Sequence, residues 1–170
     1  KTLLHHKALW IHKKGHDPTQ ALKILDEAAA TQDYPYSSKQ EREEHLHTSM
    51  AACIVSQLKQ NEISCDMAKT KVSFHLDRAR ADSFMSPKPI HVQAGLTIEL
   101  LSRLDPDEDY GDKFRMANVA IADIDKTLLF LETEFVNKQL IREDVILLEQ
   151  ARENLFTLFE TMINIGDTAD

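Results

Sequence analysis

The stretch DKFRMANVAIADIDKTLLFLETEFVNKQLIREDVILLEQARENLFTLFETMINI, residues 112–165, contains neither glycine nor proline. Its apolar side chains recur every three or four residues, which is the period of a helix with one buried face. Residues 36–86 also lack both residue types. Because glycine and proline are the residues that most often end a helix, two such long segments predict an all-α fold.

The whole chain is predicted to form about seven helices, and its four glycines and five prolines fall where helices would end. Three antiparallel hairpins are expected at residues 2–31, 37–84 and 112–165. A further helix at about 90–104 is expected to bridge the second and third hairpins. Asp17 followed by Pro18 is typical of a helix start, and Ser38 with Glu41 predicts a capping box. The last helix is expected to end near Gly166.

The length of 170 residues suits one helical domain spanning residues 1–170. The alternative is a subdivision near residues 86–89, where two prolines make a rigid connection. Hydrophobic residues make up 42% of the chain and charged residues 28%, which is a globular balance.

The formal net charge of −8 opposes attraction to phosphate groups, so we expect neither nucleic acid nor membrane as a partner. No apolar run reaches the roughly 18 residues that span a bilayer. We therefore expect a soluble, cytoplasmic protein. Its two cysteines, Cys53 and Cys65, are expected to be reduced and buried thiols, although a hairpin could bring them near each other.

In the first predicted hairpin, Leu4, Ala8 and Ile11 precede a turn at Gly15, and the second helix carries Ala21, Leu25 and Ala28. Over about residues 3–30 this order of bulky and small residues resembles a tetratricopeptide repeat. The turn is one residue longer than the family pattern, and Trp10 does not fall at the family's aromatic position. The resemblance implies a scaffold of stacked hairpins that presents a groove to a peptide or protein segment.

A weaker echo of the first hairpin follows at Ala68 and Ala117, which lie 47 to 49 residues after comparable alanines. That interval is nearer to the longer helical repeats than to the 34-residue standard. Any close crossing of two helices favours small residues, however, so a generic helical bundle remains the alternative to a repeat fold.

The eight histidines and the acidic start of the third predicted helix are the residues that suggest metal chemistry. Glu44 and His47 form one Glu-x-x-His spacing, with Glu41 one turn earlier. Carboxylate-bridged metal bundles use this spacing, but they need a second copy of it, which the sequence lacks. The simpler interpretation is that the glutamates favour the positive end of the helix dipole.

The simpler interpretation of the clustered histidines is that they are surface or turn residues: His5, His6, His12 and His16 near the start of the chain, then His45 and His47. The dipeptide His16-Asp17 also occurs in metal-dependent phosphohydrolases, but Asp17 has an evident capping role and the more distant ligands of that pattern have no counterparts.

Basic side chains cluster near the start of the chain and along the fourth predicted helix, where acidic residues interleave them. The cluster on the fourth helix is Lys69, Lys71, Arg78 and Arg80. We interpret it as a solvated helix face, with a site for an acidic partner as the alternative.

No phosphate-binding loop, nucleophile elbow or paired-cysteine zinc pattern is present. We therefore expect an adaptor or regulatory scaffold that binds protein or peptide and needs no cofactor or catalytic residue. The alternative is a metal-binding bundle that uses Glu41, Glu44 and His47. A homodimer through the apolar stripes of the sixth and seventh helices is a third hypothesis.

Overall fold

The computed structural model describes residues 2–31, 39–80, 87–103, 110–134 and 142–168, and the chain is all-α over these ranges. The helices are α1 Thr2–Lys13, α2 Pro18–Ala30, α3 Lys39–Lys59, α4 Cys65–Ala79, α5 Pro87–Leu101, α6 Gly111–Glu134 and α7 Arg142–Thr168. No strand occurs in the described ranges. The predicted all-α class is therefore confirmed.

The chain forms two compact units, Lys1–Phe84 and Met85–Asp170. Unit 1 holds α1 to α4, and unit 2 holds α5 to α7. That the chain acts as one domain stays a prediction.

In unit 1, each helix packs against the next one along the chain, and α1 also touches α3. One apolar core joins α1, α2 and α3. Its buried members are Ala8, Ile11, Ala21, Ile24, Leu25, Ala28, Leu46, Met50 and Cys53. The inner side of α4 buries Ala68, Val72, Leu76 and Ala79.

Helix α3 is buried on more than one side. Its buried residues include Leu46, Met50, Ala51, Cys53, Ile54, Val55 and Leu58. The spacing of these residues covers more than the single stripe of a surface helix, so neighbours must cover α3 from several directions. Helices α1, α2 and α4 supply that cover.

The starts of α2 and α4 are built alike. The backbone N–H of Gln20 donates to Asp17 Oδ1 at 2.9 Å, which confirms the predicted cap. Ser64 caps α4 in the same way through the N–H of Met67, at 3.3 Å. Helix α4 therefore begins at Cys65.

Ala21 and Ala68 both lie four residues after these caps, and both are fully buried. Small side chains at these equivalent positions let each second helix approach its neighbour closely. Their separation of 47 residues is the interval noted in the sequence analysis.

The turns that close the two hairpins of unit 1 are hydrogen-bonded to each other. Gln57 Nε2 donates to Thr19 Oγ1, and Thr19 Oγ1 donates to Glu62 Oε2, both at 2.8 Å. Gln60 Nε2 donates to the backbone oxygen of His16 at 3.1 Å. These bonds fix the end of one hairpin against the end of the other.

Unit 2 is a bundle of three helices in which each helix contacts the other two. Helix α5 is therefore an equal member of the bundle, and its predicted role as a bridge is wrong. Leu101, Ile124, Leu131, Leu148 and Leu155 are fully buried in the shared core. The rings of Phe114 and Phe159 meet edge to face beside this core, with centroids 4.9 Å apart.

Two helix boundaries of unit 2 differ from the sequence analysis. Helix α5 begins at Pro87, because prolines are tolerated in a first turn, where the N–H groups have no partner within the helix. Helix α7 continues through Gly166 to Thr168, since a glycine weakens a helix by only about 1 kcal/mol. The predicted cap at Ser38 lies outside the described residues.

The apolar stripes of α6 and α7 that suggested a homodimer lie in the core of unit 2. A dimer through these stripes is not supported, because they are already buried within the unit. The exposed apolar side chains of the two helices are different ones, namely Val119, Leu129, Phe130, Ile146, Leu147, Phe156 and Ile163.

The turn between α1 and α2 generates a stability prediction. A Cβ at Gly15 would lie 2.8 Å from the backbone oxygen of Ile11, so we expect Gly15→Ala to lower the free energy of unfolding by about 1–3 kcal/mol. The neighbouring His16 has a positive φ of 51°, which glycine adopts more easily. His16→Gly should therefore leave the unfolding free energy unchanged or raise it by up to about 1 kcal/mol.

Urea unfolding followed by circular dichroism measures both variants. Equal destabilisation by the two substitutions would contradict this account of the turn.

Candidate protein-interaction groove

A groove lies on unit 1 between α2 and α4, with α3 beneath it. Its lining residues are Leu22, Asp26, Ile54, Thr70, Lys71, Phe74 and His75, and its volume is about 360 Å³. Ile54 is buried and forms the floor. The groove exists because α3 separates α2 from α4, so the two outer helices make two walls.

The wall formed by α4 carries a row of apolar and basic side chains that we name the α4 stripe: Met67, Lys71, Phe74 and Arg78. Their spacing of four, three and four residues places them on one helix face. All four are exposed, and the side chain of Phe74 is 52% exposed. The guanidinium carbon of Arg78 lies 4.6 Å from the ring centroid of Phe74, a cation–π distance.

The outer face of α1 repeats this arrangement. Leu3, Lys7, Trp10 and Lys14 have the same spacing and the same order of apolar and basic groups, and we name them the α1 stripe. All four are exposed, with Trp10 at 65%. The first 16 residues contain no acidic side chain at all.

Three side chains form a directional hydrogen-bond chain behind the groove. His47 Nε2 lies 2.9 Å from Glu43 Oε2, and His47 Nδ1 lies 2.9 Å from His75 Nδ1. A carboxylate only accepts, so the neutral His47 carries its proton on Nε2 and accepts at Nδ1. His75 must therefore donate from Nδ1 to His47. The chain fixes the orientation of the imidazole that lines the groove.

Both imidazoles are held neutral. Burial lowers the pKa of His47, although its hydrogen bond and attraction to Glu43 oppose this. The pKa of His75 falls to about 4, first through burial and then through His47, Arg78 and Lys71. The hydrogen bond between the two rings requires His47 to be unprotonated at Nδ1, the nitrogen that accepts from His75.

The three residues of the metal hypothesis, Glu41, Glu44 and His47, lie along α3. Both ring nitrogens of His47 are hydrogen-bonded, one to Glu43 and the other to His75. In the described ranges, no three histidine, cysteine or acidic side chains lie close enough together to hold a metal ion. The structure thus brings His47 to partners that the Glu-x-x-His spacing did not indicate.

Two histidines of α1 connect that helix to α3. His5 Nε2 lies 3.0 Å from Ser49 Oγ, and His12 Nε2 lies 2.6 Å from Ser56 Oγ. Each pair is 44 residues apart, so the two helices run side by side in a fixed register. The interpretation of the histidines as surface or turn residues was wrong for His5 and His12, and also for the buried His47. It was correct for the exposed His6 and His16.

Both cysteines are free. Cys53 is buried in the core of unit 1, and burial raises the pKa of its thiol to about 12. Cys65 is only half-buried at the start of α4. The prediction of unpaired thiols is confirmed, and that of full burial holds for Cys53 alone.

Sequence reasoning missed Glu43, His75 and Phe74. The contacts of Glu43 and His75 join α3 to α4, and a helical period does not reveal which residues of two helices meet. The four-residue spacing of Phe74 from both Arg78 and Thr70, away from Val72 and Leu76, is the signal that would have placed it on the outer face.

Comparison of the chain with protein-family models, with curated proteins and with solved structures finds no match. The resemblance to tetratricopeptide repeats therefore stays a prediction. Among the helices that the structure describes, none combines the length and apolar character needed to cross a membrane.

The neutral histidines of unit 1 predict a dependence of stability on pH. Free imidazoles take up a proton near pH 6.5, whereas the pKa of His75 in the folded chain is about 4. Between these values the unfolded chain binds more protons than the folded chain, so stability falls as the pH drops through this window. Above it, the stability is fully present. The lowered pKa values of His5, His12 and His47 act in the same direction.

We expect the thermal unfolding midpoint to fall between pH 7 and pH 5, and His75→Asn to reduce that dependence. His6→Asn, at an exposed position, is the matched control. Circular dichroism melts at several pH values measure this. An unchanged pH dependence in His75→Asn would contradict the assignment.

Proposed function

We propose that unit 1 is a protein-interaction scaffold whose groove binds an acidic, amphipathic helical segment of a partner. The observation that carries the proposal is Phe74, an aromatic side chain half exposed at the rim of a groove and next to Lys71. Apolar surface concentrated beside a concavity and rimmed by charge is typical of interaction sites.

The apolar part of the groove favours a helical ligand. The α4 stripe is a straight row along a helix, and the partly exposed Leu22 supplies apolar surface beside it. A ligand helix has anchor side chains at positions i, i+3 or i+4 and i+7, so its apolar face fits such a row. Aromatic and arginine side chains, which the stripe contains, are the residues that most often dominate binding energy.

The charges of α4 favour an acidic ligand on that side of the groove. Lys71 and Arg78 are both exposed on the stripe, on either side of Phe74. The opposite wall, α2, contributes Asp26. An acidic ligand would therefore bind closer to α4 than to α2, because opposite charges attract and like charges repel across a short distance.

The rest of unit 1 supports a scaffold role. The two hairpins carry equivalent caps and equivalent buried alanines, and hydrogen bonds join their turns. Helical hairpins stacked in this way hold a binding surface rigid, which lowers the entropy cost of binding. We therefore propose that the stacked hairpins of unit 1 are tetratricopeptide-like repeats.

Selection from a displayed library of random peptides of about 16 residues, roughly four helical turns, tests the proposed function. Peptides are enriched on the full-length protein and counter-selected on the double variant Lys71→Glu, Phe74→Ala. We expect enriched sequences with glutamate or aspartate beside leucine or phenylalanine at helical spacing. Phe74→Ala should weaken binding of the best peptide at least about tenfold, since a central aromatic anchor contributes more than about 1.4 kcal/mol.

Ser73→Ala is the matched control, because Ser73 is exposed on the same helix about 100° away from Phe74. A best peptide that binds wild type and Phe74→Ala equally would refute the proposed site. So would a selection that enriches nothing.

The acid on the opposite wall gives a separate prediction. Asp26→Asn removes a negative charge that faces the ligand, so the selected acidic peptide should bind about two- to fivefold more tightly, the effect expected of an exposed charge. Glu27→Gln is the control, since Glu27 is the exposed neighbour on α2. Fluorescence anisotropy titrations measure the dissociation constant of the selected peptide for each of the two variants. Equal changes in the two variants would show that Asp26 acts only through net charge.

A further inference from the structure

The outer face of α7 carries a row of side chains whose chemistry is the reverse of that of the α4 stripe. Glu153, Phe156, Glu160 and Ile163 are spaced by three, four and three residues, so they share one helix face, and we name them the α7 stripe. All four are exposed. Phe156 is 49% exposed and Ile163 is 42% exposed, although α7 buries a full apolar face inside unit 2.

The nearby basic side chain on α7 does not cancel this acidic character. Arg152 lies beside the stripe, but its Nη1 is 2.8 Å from Asp125 Oδ1 on α6. Its charge is therefore engaged within unit 2. Farther toward the start of the helix, Ile146 and Glu149 are also exposed and continue the acidic and apolar pattern.

The two stripes match when one helix is placed antiparallel to the other. Phe74 then lies opposite Phe156, and Met67 lies opposite Ile163. In the same register, Lys71 lies opposite Glu160 and Arg78 lies opposite Glu153. Two apolar contacts and two ion pairs thus form in a single alignment, because the two rows have nearly equal spacing, 11 residues against 10. The alignment leaves no like charges opposite each other in these four pairs.

We propose that the chain self-associates by docking the α7 stripe of one copy on the α4 stripe and groove of a second copy. This rests on the proposed function, in which the groove binds an acidic helix, and it names that helix as α7. The groove beside Phe74 gives the ring of Phe156 the partly exposed side chain of Leu22 to cover.

The contact joins different surfaces of the two copies, so it is heterologous. The assembly is a closed dimer when each of two copies docks its α7 on the other. Otherwise the contact repeats from one copy to the next. A contact of one helix on one groove buries less than a standard interface of about 1,200–2,000 Å², so we expect weak association, on the order of 10–100 µM.

Charge exchange between the stripes tests the inference in the full-length chain. One variant carries Lys71→Glu and Arg78→Glu, and the other carries Glu153→Lys and Glu160→Lys. Each variant alone places like charges opposite each other and should remain monomeric. An equimolar mixture restores opposite charges, so it should associate at least as tightly as wild type. Sedimentation velocity from about 5 to 500 µM, which brackets weak interfaces, measures the masses.

The α1 stripe supplies the matched control, because it has the same pattern of residues on another helix. Trp10→Ala should leave the association constant within about twofold, whereas Phe74→Ala should lower it at least about tenfold. The opposite result would place the second copy on α1 and overturn the inference. Circular dichroism of each variant checks that the helices are retained.

A wild-type chain that stays monomeric over the whole range would also overturn the inference, as would a mixture of the two charge variants that fails to associate when wild type does. Neither result affects the peptide selection, so self-association can fail while the proposed function stands. If the selected peptides bind Phe74→Ala as tightly as wild type and the wild-type protein is also monomeric, both the proposed function and the self-association are wrong.

Discussion

Burial of α3 on several sides is the constraint on which the structure of unit 1 depends. A helix with a single apolar stripe needs one neighbour, but α3 buries side chains such as Leu46, Ala51 and Val55 that point in different directions. Helices α1, α2 and α4 must therefore surround it. Because α2 and α4 both pack on α3, they leave a groove between them with Ile54 as its floor. The candidate site is thus a consequence of how the core is covered.

The polar contacts of unit 1 determine how the surrounding helices are aligned. Apolar packing alone tolerates small shifts along a helix, whereas a hydrogen bond between buried groups requires one register. His5 and His12 set the register of α1 against α3, and the chain from His75 through His47 to Glu43 sets that of α4. Burial at these positions lowers the pKa of each imidazole, so the same residues link the fold to pH. They also hold α4 in the position from which Phe74 reaches the groove.

Much of the fold was predictable from the sequence, because helix starts and stops are local. Asp17 and Pro18 indicated the start of α2, and the long segment without glycine or proline indicated α6 and α7. The role of α5 was not predictable, since its equal contacts with α6 and α7 depend on how three helices assemble. The candidate site was harder to predict from the sequence than the fold. The basic residues Lys71 and Arg78 were visible in the sequence, but the groove beside them requires α2 and α3, which are distant in the chain.

We infer that α3 holds α4 as part of one rigid unit whose outer face binds a partner segment. Hydrogen–deuterium exchange of the full-length chain, with and without a saturating selected peptide, distinguishes this from an α4 that opens on its own. We expect the inner amides of α3 and α4 to exchange slowly and together, through one opening of unit 1. We also expect the peptide to add protection at residues 70–78 of α4 and at the facing turn of α2. Rapid, independent exchange of α4, or added protection confined to other helices, would show that the inference is wrong.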